Sequence, residues 1–258
     1  MGKIQISKEQ IKQYYLEGKS TVEIAQIANC NQSNINSHLK RMGVTIRKPF
    51  EIRKYSLNKK YFKSIDTQEK AYILGFLYAD GYNQETKNQI RLTLQKQDKD
   101  ILDKINIELN HSKPLLLLRD NYLDLSINSK EISQDLSILG CTQRKSFTIR
   151  FPYNKLPENL YKDFIRGYFD GDGCISINQH NDVQINITGN LEFITELQLI
   201  FESILKVNRT KLQKRKKSYS LFYHGKKLCF KILDYLYRDN TISLERKEKL
   251  YKKIVSLQ

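Results

Sequence analysis

An α+β protein, with two pseudo-symmetric αββαββα halves behind a small all-α N-terminal domain, follows from three features of the 258-residue chain. The first is an internal repeat. Tyr72–Gly81 (YILGFLYADG) and Phe164–Gly173 (FIRGYFDGDG) each set a Gly-x-x-x-x-Asp-Gly element in an apolar stretch. Gly75 to Gly167 and Asp80 to Asp172 are both 92 positions apart, which is the mark of a duplicated module. The second feature is that strand-like alternation follows each motif, interleaved with helical segments. The third is an N-terminal run with helix caps and no strand signal.

Taken in order, residues 7–17 read as a helix capped by Ser7 and ended by Gly18. A second helix starts at Ser20, with Glu23 three residues on as a capping box, and turns Val22, Ile24, Ala25, Ile27 and Ala28 inward. After Asn29-Cys30-Asn31 a third helix covers 32–42, with Ile35, Leu39 and Met42 inward. Its other face holds Gln32, Ser33, Asn34, Asn36, Ser37 and Lys40, short polar groups suited to reading base edges. Leu16–Ala25 resembles the helix-turn-helix of resolvase-type recombinases and many repressors, so residues 1–45 are expected to be a DNA-binding domain. Residues 46–67 form a basic linker in which Arg47 and Lys48 are expected to follow a phosphate backbone; Pro49 blocks helix there.

The first half, 68–153, opens with a helix at 68–79. Strand 89–95 alternates Ile90, Leu92 and Leu94 with Gln89, Arg91, Thr93 and Gln95. A helix at 97–110, a hairpin of 115–119 and 122–127, and a helix at 129–139 complete it. The second half, 154–258, carries its motif on a helix at 158–171, then strands 174–179 and 183–188, a helix at 191–205, strands near 209–216 and 218–224, and helices at 226–238 and 243–256. Val183, Ile185 and Ile187 face inward. Gln184, Asn186 and Thr188 face outward, with Ser176 and Asn178 beside them, and Lys211, Gln213, Arg215 and Lys217 extend the polar side. A sheet with one apolar face and one face of amides and cations suits a duplex lying across it.

Composition bounds the partners. Hydrophobic content of 40% is that of a globular chain, and a formal net charge of +16 points to a polyanion, although a Lys-rich surface from a biased genome would give the same excess. Cys30, Cys141, Cys174 and Cys229 are scattered, with no zinc-ribbon or disulfide spacing. His38, His111, His180 and His224 are isolated from one another. There is no signal-peptide core and no membrane-length apolar run, so a cytoplasmic or organellar-matrix home and no membrane partner are expected.

The two Gly-x-x-x-x-Asp-Gly motifs resemble those of LAGLIDADG homing endonucleases in the single-chain, two-motif form. The likeness covers 69–255. Gly75 and Gly167 match the motif's first Gly, Asp80 and Asp172 its final Asp, and Gly81 and Gly173 its closing Gly. Tyr78 departs from the first Asp that the second copy keeps as Asp170, and Arg166 is also atypical. The resemblance implies that the sheets form an antiparallel β saddle over DNA and that the protein is a monomeric, site-specific double-strand DNA endonuclease. Asp80 and Asp172 would bind Mg²⁺ with the backbone carbonyls of Ala79 and Gly171, each acid serving one strand. Lys145 and Lys247, from an Arg-Lys pair ending each half, would approach the scissile phosphates. Glycines at the two motif helices would let them pack backbone to backbone, and Gly81 and Gly173 suit a left-handed helix end. A nuclease-derived DNA-binding regulator, or a maturase binding host intron RNA, would use the same surface.

Overall fold

In the computed structural model, residues 5–47, 55–143 and 145–257 are described; Lys48, Arg53 and Lys54 of the expected linker and Arg144 of the first Arg-Lys pair lie outside them. The chain divides into two compact units, residues 1–56 and 57–258.

The first unit holds three helices, α1 (Lys8–Leu16), α2 (Thr21–Ile27) and α3 (Gln32–Arg41). Capping boxes start two of them: Ser7 with Gln10, and Ser20 with Glu23. Each box satisfies backbone N–H groups that a helix start leaves bare. Ile11, Tyr15, Ile24, Ala25, Ala28, Ile35 and Leu39 make the core. Val22 and Ile27, expected inside, are 47% and 44% exposed. On a helix of 7 residues the buried stripe is narrow, and Thr21 takes a buried place in it instead.

The second unit has the expected αββαββα order twice. The first half runs α4 (Gln68–Ala79), β1 (Gly81–Gln84), β2 (Gln89–Gln95), α5 (Lys99–Glu108), β3 (Leu116–Leu118), β4 (Tyr122–Asn128) and α6 (Lys130–Ile138). The second runs α7 (Tyr161–Asp172), β5 (Gly173–Ile177), β6 (Val183–Gly189), α8 (Leu191–Leu205), β7 (Gln213–Lys214), β8 (Tyr219–His224) and α9 (Lys226–Tyr237), with α10 (Glu245–Val255) closing the chain. Two four-stranded antiparallel sheets result, ordered β1-β2-β4-β3 and β5-β6-β8-β7. The outermost strands β3 and β7 are shorter than their sequence suggested, because an edge strand is held from one side only. β1 has no apolar alternation to announce it; its one inward polar residue, Asn83, is fully buried and donates to the carbonyls of Ser133 and Cys141, each at 3.0 Å, tying α6 to the sheet.

The expected linker needs a correction. Tyr61, Phe62 and Ile65 are buried in the core of the second unit, so the connecting segment ends before them. Arg47 belongs to the first unit: its Nη2 donates to the carbonyls of Tyr15 (2.8 Å) and Lys19 (2.7 Å), and its guanidinium sits 4.0 Å over the Tyr15 ring. Packed in this way, it clasps the helices of its own unit.

Candidate active site at the paired helix ends

α4 is buried from Ala71 to Tyr78 and α7 from Asp163 to Asp170, as expected of helices running through a core. They meet at their glycines. A β-carbon on Gly75 would lie 2.0 Å from the Phe164 carbonyl oxygen, and one on Gly167 would lie 1.9 Å from that of Tyr72. Backbone therefore rests on backbone, and the C-terminal ends of the helices arrive together. A β-carbon on Gly171 would lie 2.3 Å from the Ala79 β-carbon and 3.1 Å from Asp80 Oδ2, which puts the end of one motif against the acid of the other. Asp80 is exposed and Asp172 half-buried.

The electrostatics register the proximity. Asp172 is pushed up to about 6, first by burial and then by the charge of Asp80; Lys145, a hydrogen bond from Tyr168 and Lys247 oppose the rise. Asp80 is also raised, by protein packed on its covered side, against the pull of Lys247 and Lys145. Two like charges at negative helix ends favour a cation. One exposed and one half-buried carboxylate fit Mg²⁺, which keeps waters and takes one or two protein acids with substrate phosphate. Asp80 and Asp172 are the carboxylates that could hold such an ion; among the described residues there is no group of three or more His, Cys, Asp or Glu that could hold a metal. The Ala79 carbonyl already accepts from Lys145 Nζ at 3.2 Å, leaving it one lone pair for a cation.

Lys145 and Lys247 stand in equivalent places, and both are buried. Lys145 Nζ donates to the carbonyls of Ala79 and Gly81. Lys247 Nζ donates to those of Phe169 (2.6 Å), Asp170 (2.8 Å) and Gly173 (2.5 Å). Each therefore caps the end of its motif helix, and the three N–H groups of Lys247 are all committed. The two lysines expected at the scissile phosphates are thus held against the helix ends that bear the carboxylates. Gly81 and Gly173 need correction. Gly173 is extended (φ −101°, ψ 164°), and Gly81 is not among the positive-φ glycines. Their role is steric: a β-carbon on Gly81 would lie 2.6 Å from the Leu77 carbonyl oxygen, and one on Gly173 2.5 Å from that of Phe169.

The sheet faces carry the expected polar sets, in two different states. On the first sheet the side chains are tied to one another. Gln89 donates to Ser126 (3.3 Å) and Asn128 (3.2 Å), and Gln97 to Gln95 (2.9 Å). Arg91 and Thr93 both donate to Asp124. Asp124, 1% exposed, lies outside the polar set expected from sequence, although Tyr122, Asp124, Ser126 and Asn128 share one face of β4. On the second sheet the side chains of Gln184 and Asn186, whose backbones pair in the ladder, make no hydrogen bond among the described residues, and Thr188 meets Ser220 at 3.3 Å. Asn178 is taken up by its turn, its Oδ1 accepting from the backbone of His180 and Asp182. Ser176, Lys211, Gln213, Arg215 and Lys217 are exposed, with Arg215 5.7 Å from the Phe222 ring. In the N-terminal unit Ser33, Ser37 and Lys40 are exposed, Asn34 and Asn36 half-buried, and Gln32 donates to Thr21 at 2.9 Å.

Among the described residues no helix is long and apolar enough to cross a membrane. Residues 159–254 match a family model described as a LAGLIDADG-like domain. The chain is 27% identical over 113 residues to the replication factor C small subunit of Methanocaldococcus jannaschii, covering 42% of this chain and 6% of that protein. It is 29% identical over 163 residues to the reverse gyrase of the same organism, covering 61% and 9%. It thus spans under a tenth of the length of these curated relatives. Among solved structures it resembles the I-LtrWI LAGLIDADG homing endonuclease bound to target DNA (TM-score 0.50, 14% identity, 78% of this chain and 90% of that one). It also resembles the LAGLIDADG meganuclease I-AabMI bound to uncleaved DNA (0.51, 10%, 74% and 90%) and the meganuclease I-SmaMI bound to uncleaveable DNA (0.51, 13%, 72% and 88%). The chain therefore carries a LAGLIDADG-like domain over residues 159–254 and has the fold of the LAGLIDADG homing endonucleases.

Proposed function

We propose that this protein is a site-specific DNA endonuclease that hydrolyses one phosphodiester bond in each strand of a duplex, acting as a monomer with a divalent cation such as Mg²⁺. The observation that carries this reading is the glycine-to-glycine seat of α4 on α7, which sets Asp80 and Asp172 side by side at the open end of the helix pair. The neighbours' DNA-bound forms support the choice of substrate, and the formal charge of +16 suits it.

Asp80 and Asp172 would hold the cation, with the carbonyl of Gly171 and the free lone pair of Ala79 within the same donor set. When bound, the cation lowers the pKa of water and neutralises charge on the leaving 3′ oxygen. Lys145 and Lys247 fix the carbonyls at the two helix ends, and so fix the direction in which each carboxylate points. They also place positive charge beside the acids. Polar groups of the two sheets would read base edges, and the three-helix N-terminal unit, through α3, would add contacts at one end of the site.

The test is cleavage of a plasmid carrying the two DNA segments that flank the gene, joined, with Mg²⁺ present. The wild type gives one linear product. Asp80→Asn and Asp172→Asn each abolish that product and keep duplex binding. Full linearisation by either variant refutes the assignment. A second reading, a DNA-binding regulator built on a nuclease fold, is favoured by the committed donors of Lys247. It predicts tight binding with no cleavage by the wild type at any Mg²⁺ concentration.

A further inference from the structure

The outward face of the first sheet contains a buried acid where a DNA-binding surface has least use for one. Asp124 sits on β4 opposite Thr93 of β2 and is 1% exposed, in a chain of net charge +16. Arg91 Nε lies 3.2 Å from both of its oxygens, Arg91 Nη2 lies 3.0 Å from Oδ2, and Thr93 Oγ1 donates to Oδ1 at 2.7 Å. The carboxylate therefore engages the guanidinium from the side. Nη1 and the outer hydrogen of Nη2 remain on the free end, and the Arg91 side chain is 39% exposed. As a contribution to stability such a pair is a poor device, since apolar residues of similar size hold a fold as well or better. As a positioning device it is effective. A free arginine loses much rotamer entropy on docking, whereas one already clamped does not.

We propose, resting on the reading of the protein as a DNA endonuclease, that Asp124 is a positioning residue that holds Arg91 as a reader of guanine in the major groove. The end-on edge of a guanidinium offers two parallel donors, matching the O6 and N7 acceptors that guanine alone presents side by side. Lysine offers a single point charge and cannot substitute for the fork. Thr93, with its hydroxyl turned to Asp124, helps aim the carboxylate and reads no base. Arg91 is flanked across the strands by Tyr82 and Ser126, and Tyr82 is 41% exposed.

The experiment is selection of bound sequences from a fully randomised duplex library by the full chain in magnesium-free buffer, with melting temperatures measured in parallel. The wild type enriches a motif with one guanine favoured by about tenfold over other bases. Arg91→Ala removes the preference at that position and leaves the rest of the motif intact; Arg91→Lys does not restore it. Asp124→Asn, which keeps the shape of the side chain, flattens the same position and no other. A guanine preference that survives Arg91→Ala overturns the assignment of the reader, and one that survives Asp124→Asn overturns the positioning role. Uniform weakening across the motif by Asp124→Asn, together with a lower melting temperature, reduces Asp124 to a structural residue and also overturns it. A wild type that enriches no sequence defeats this proposal and the endonuclease reading together, whereas an enriched motif indifferent to Arg91 defeats this proposal alone.

Discussion

Gly75 and Gly167 each face backbone of the other's helix where a side chain would have to sit: their β-carbon positions fall 2.0 Å and 1.9 Å from carbonyl oxygens of the opposing helix. In an isolated helix alanine would be better than glycine by about 1 kcal/mol. Here the sign reverses. Gly75→Ala or Gly167→Ala drives a methyl group into backbone that cannot swing away, and the expected loss is about 3 kcal/mol of unfolding free energy. Urea denaturation of the full chain measures it. An unchanged midpoint would mean that the helices are not seated on their glycines in solution.

The paired acids give the second expectation, a pH-dependent response to Mg²⁺. Asp172 rises from an ordinary 3.8 to about 6, so between those values the folded state binds the proton more tightly than the unfolded state does. Its contribution to stability is therefore full at about pH 4 and below, and is lost as the pH climbs through about 6. A cation binds only the ionised pair. Added Mg²⁺ should leave the melting temperature almost unchanged near pH 5 and raise it clearly near pH 7.5, by the equivalent of about 2.7 kcal/mol at a hundredfold excess over Kd. Asp172→Asn should abolish the difference. An equal shift at both pH values would separate Mg²⁺ binding from this pair.

Much of this was legible in the chain because it repeats. The interval shared by the two motifs gave the halves, and alternation such as Ile90-x-Leu92-x-Leu94 gave strand faces that the structure buries as expected. The losses have physical reasons. β1 is short and has no apolar alternation; its inward residue is Asn83, whose partners on and after α6 are some fifty positions away. The Asp124–Arg91 pair also depends on a contact between strands, invisible until β2 and β4 are in register. Lysines are usually drawn at the end of a long, mobile stem. Nothing in an Arg-Lys dipeptide says that the amine of Lys247 will turn back into three carbonyls. Arg166 looked out of place in a motif helix. It is fully buried, paired with Asp163 at 2.8 Å, and donates to the carbonyls of Leu236 and Ile242.

Tyr78 and Asp170 hold matching positions in the two motifs and do one job with opposite chemistry. Tyr78 donates its hydroxyl to the Leu139 carbonyl at the end of α6. Asp170 accepts from Tyr72 (2.7 Å), Tyr237 (2.5 Å) and the Leu244 backbone N–H (2.7 Å). Both tether the segment that leads to the lysine of that half. Burial raises Asp170, and Lys247 with the three hydrogen bonds opposes the rise. Tyr78→Phe strands one buried carbonyl, for a cost of about 1–3 kcal/mol. Asp170→Asn replaces an acceptor of three hydrogen bonds with a group that must place an NH₂ among donors, and should cost more than Tyr78→Phe. Parallel urea titrations rank the two; the reverse order would show that the Asp170 cluster is not the tighter tether.

The role of Lys247 decides how the site works, and one variant separates the two possibilities. Burial pushes its amine down to about 8, while Asp170 and Asp80 hold it up. An amine that caps a helix end supports the fold and the carboxylate at once. Lys247→Met should therefore strip a donor from three carbonyls, of which that of Phe169 keeps the Gly173 N–H, cost about 3 kcal/mol, and reduce cleavage because Asp172 is no longer held in place. Lys247→Arg should not rescue either property, since a planar fork cannot reach three carbonyls converging on one nitrogen. If the amine instead reaches a phosphate in the complex, Lys247→Met abolishes cleavage with the urea midpoint unchanged. Measured together, midpoint and cleavage rate fall in step under the capping role and come apart under the phosphate role. Lys145→Met, with carbonyls of Ala79 and Gly81 to lose, should repeat the pattern more weakly in the first half.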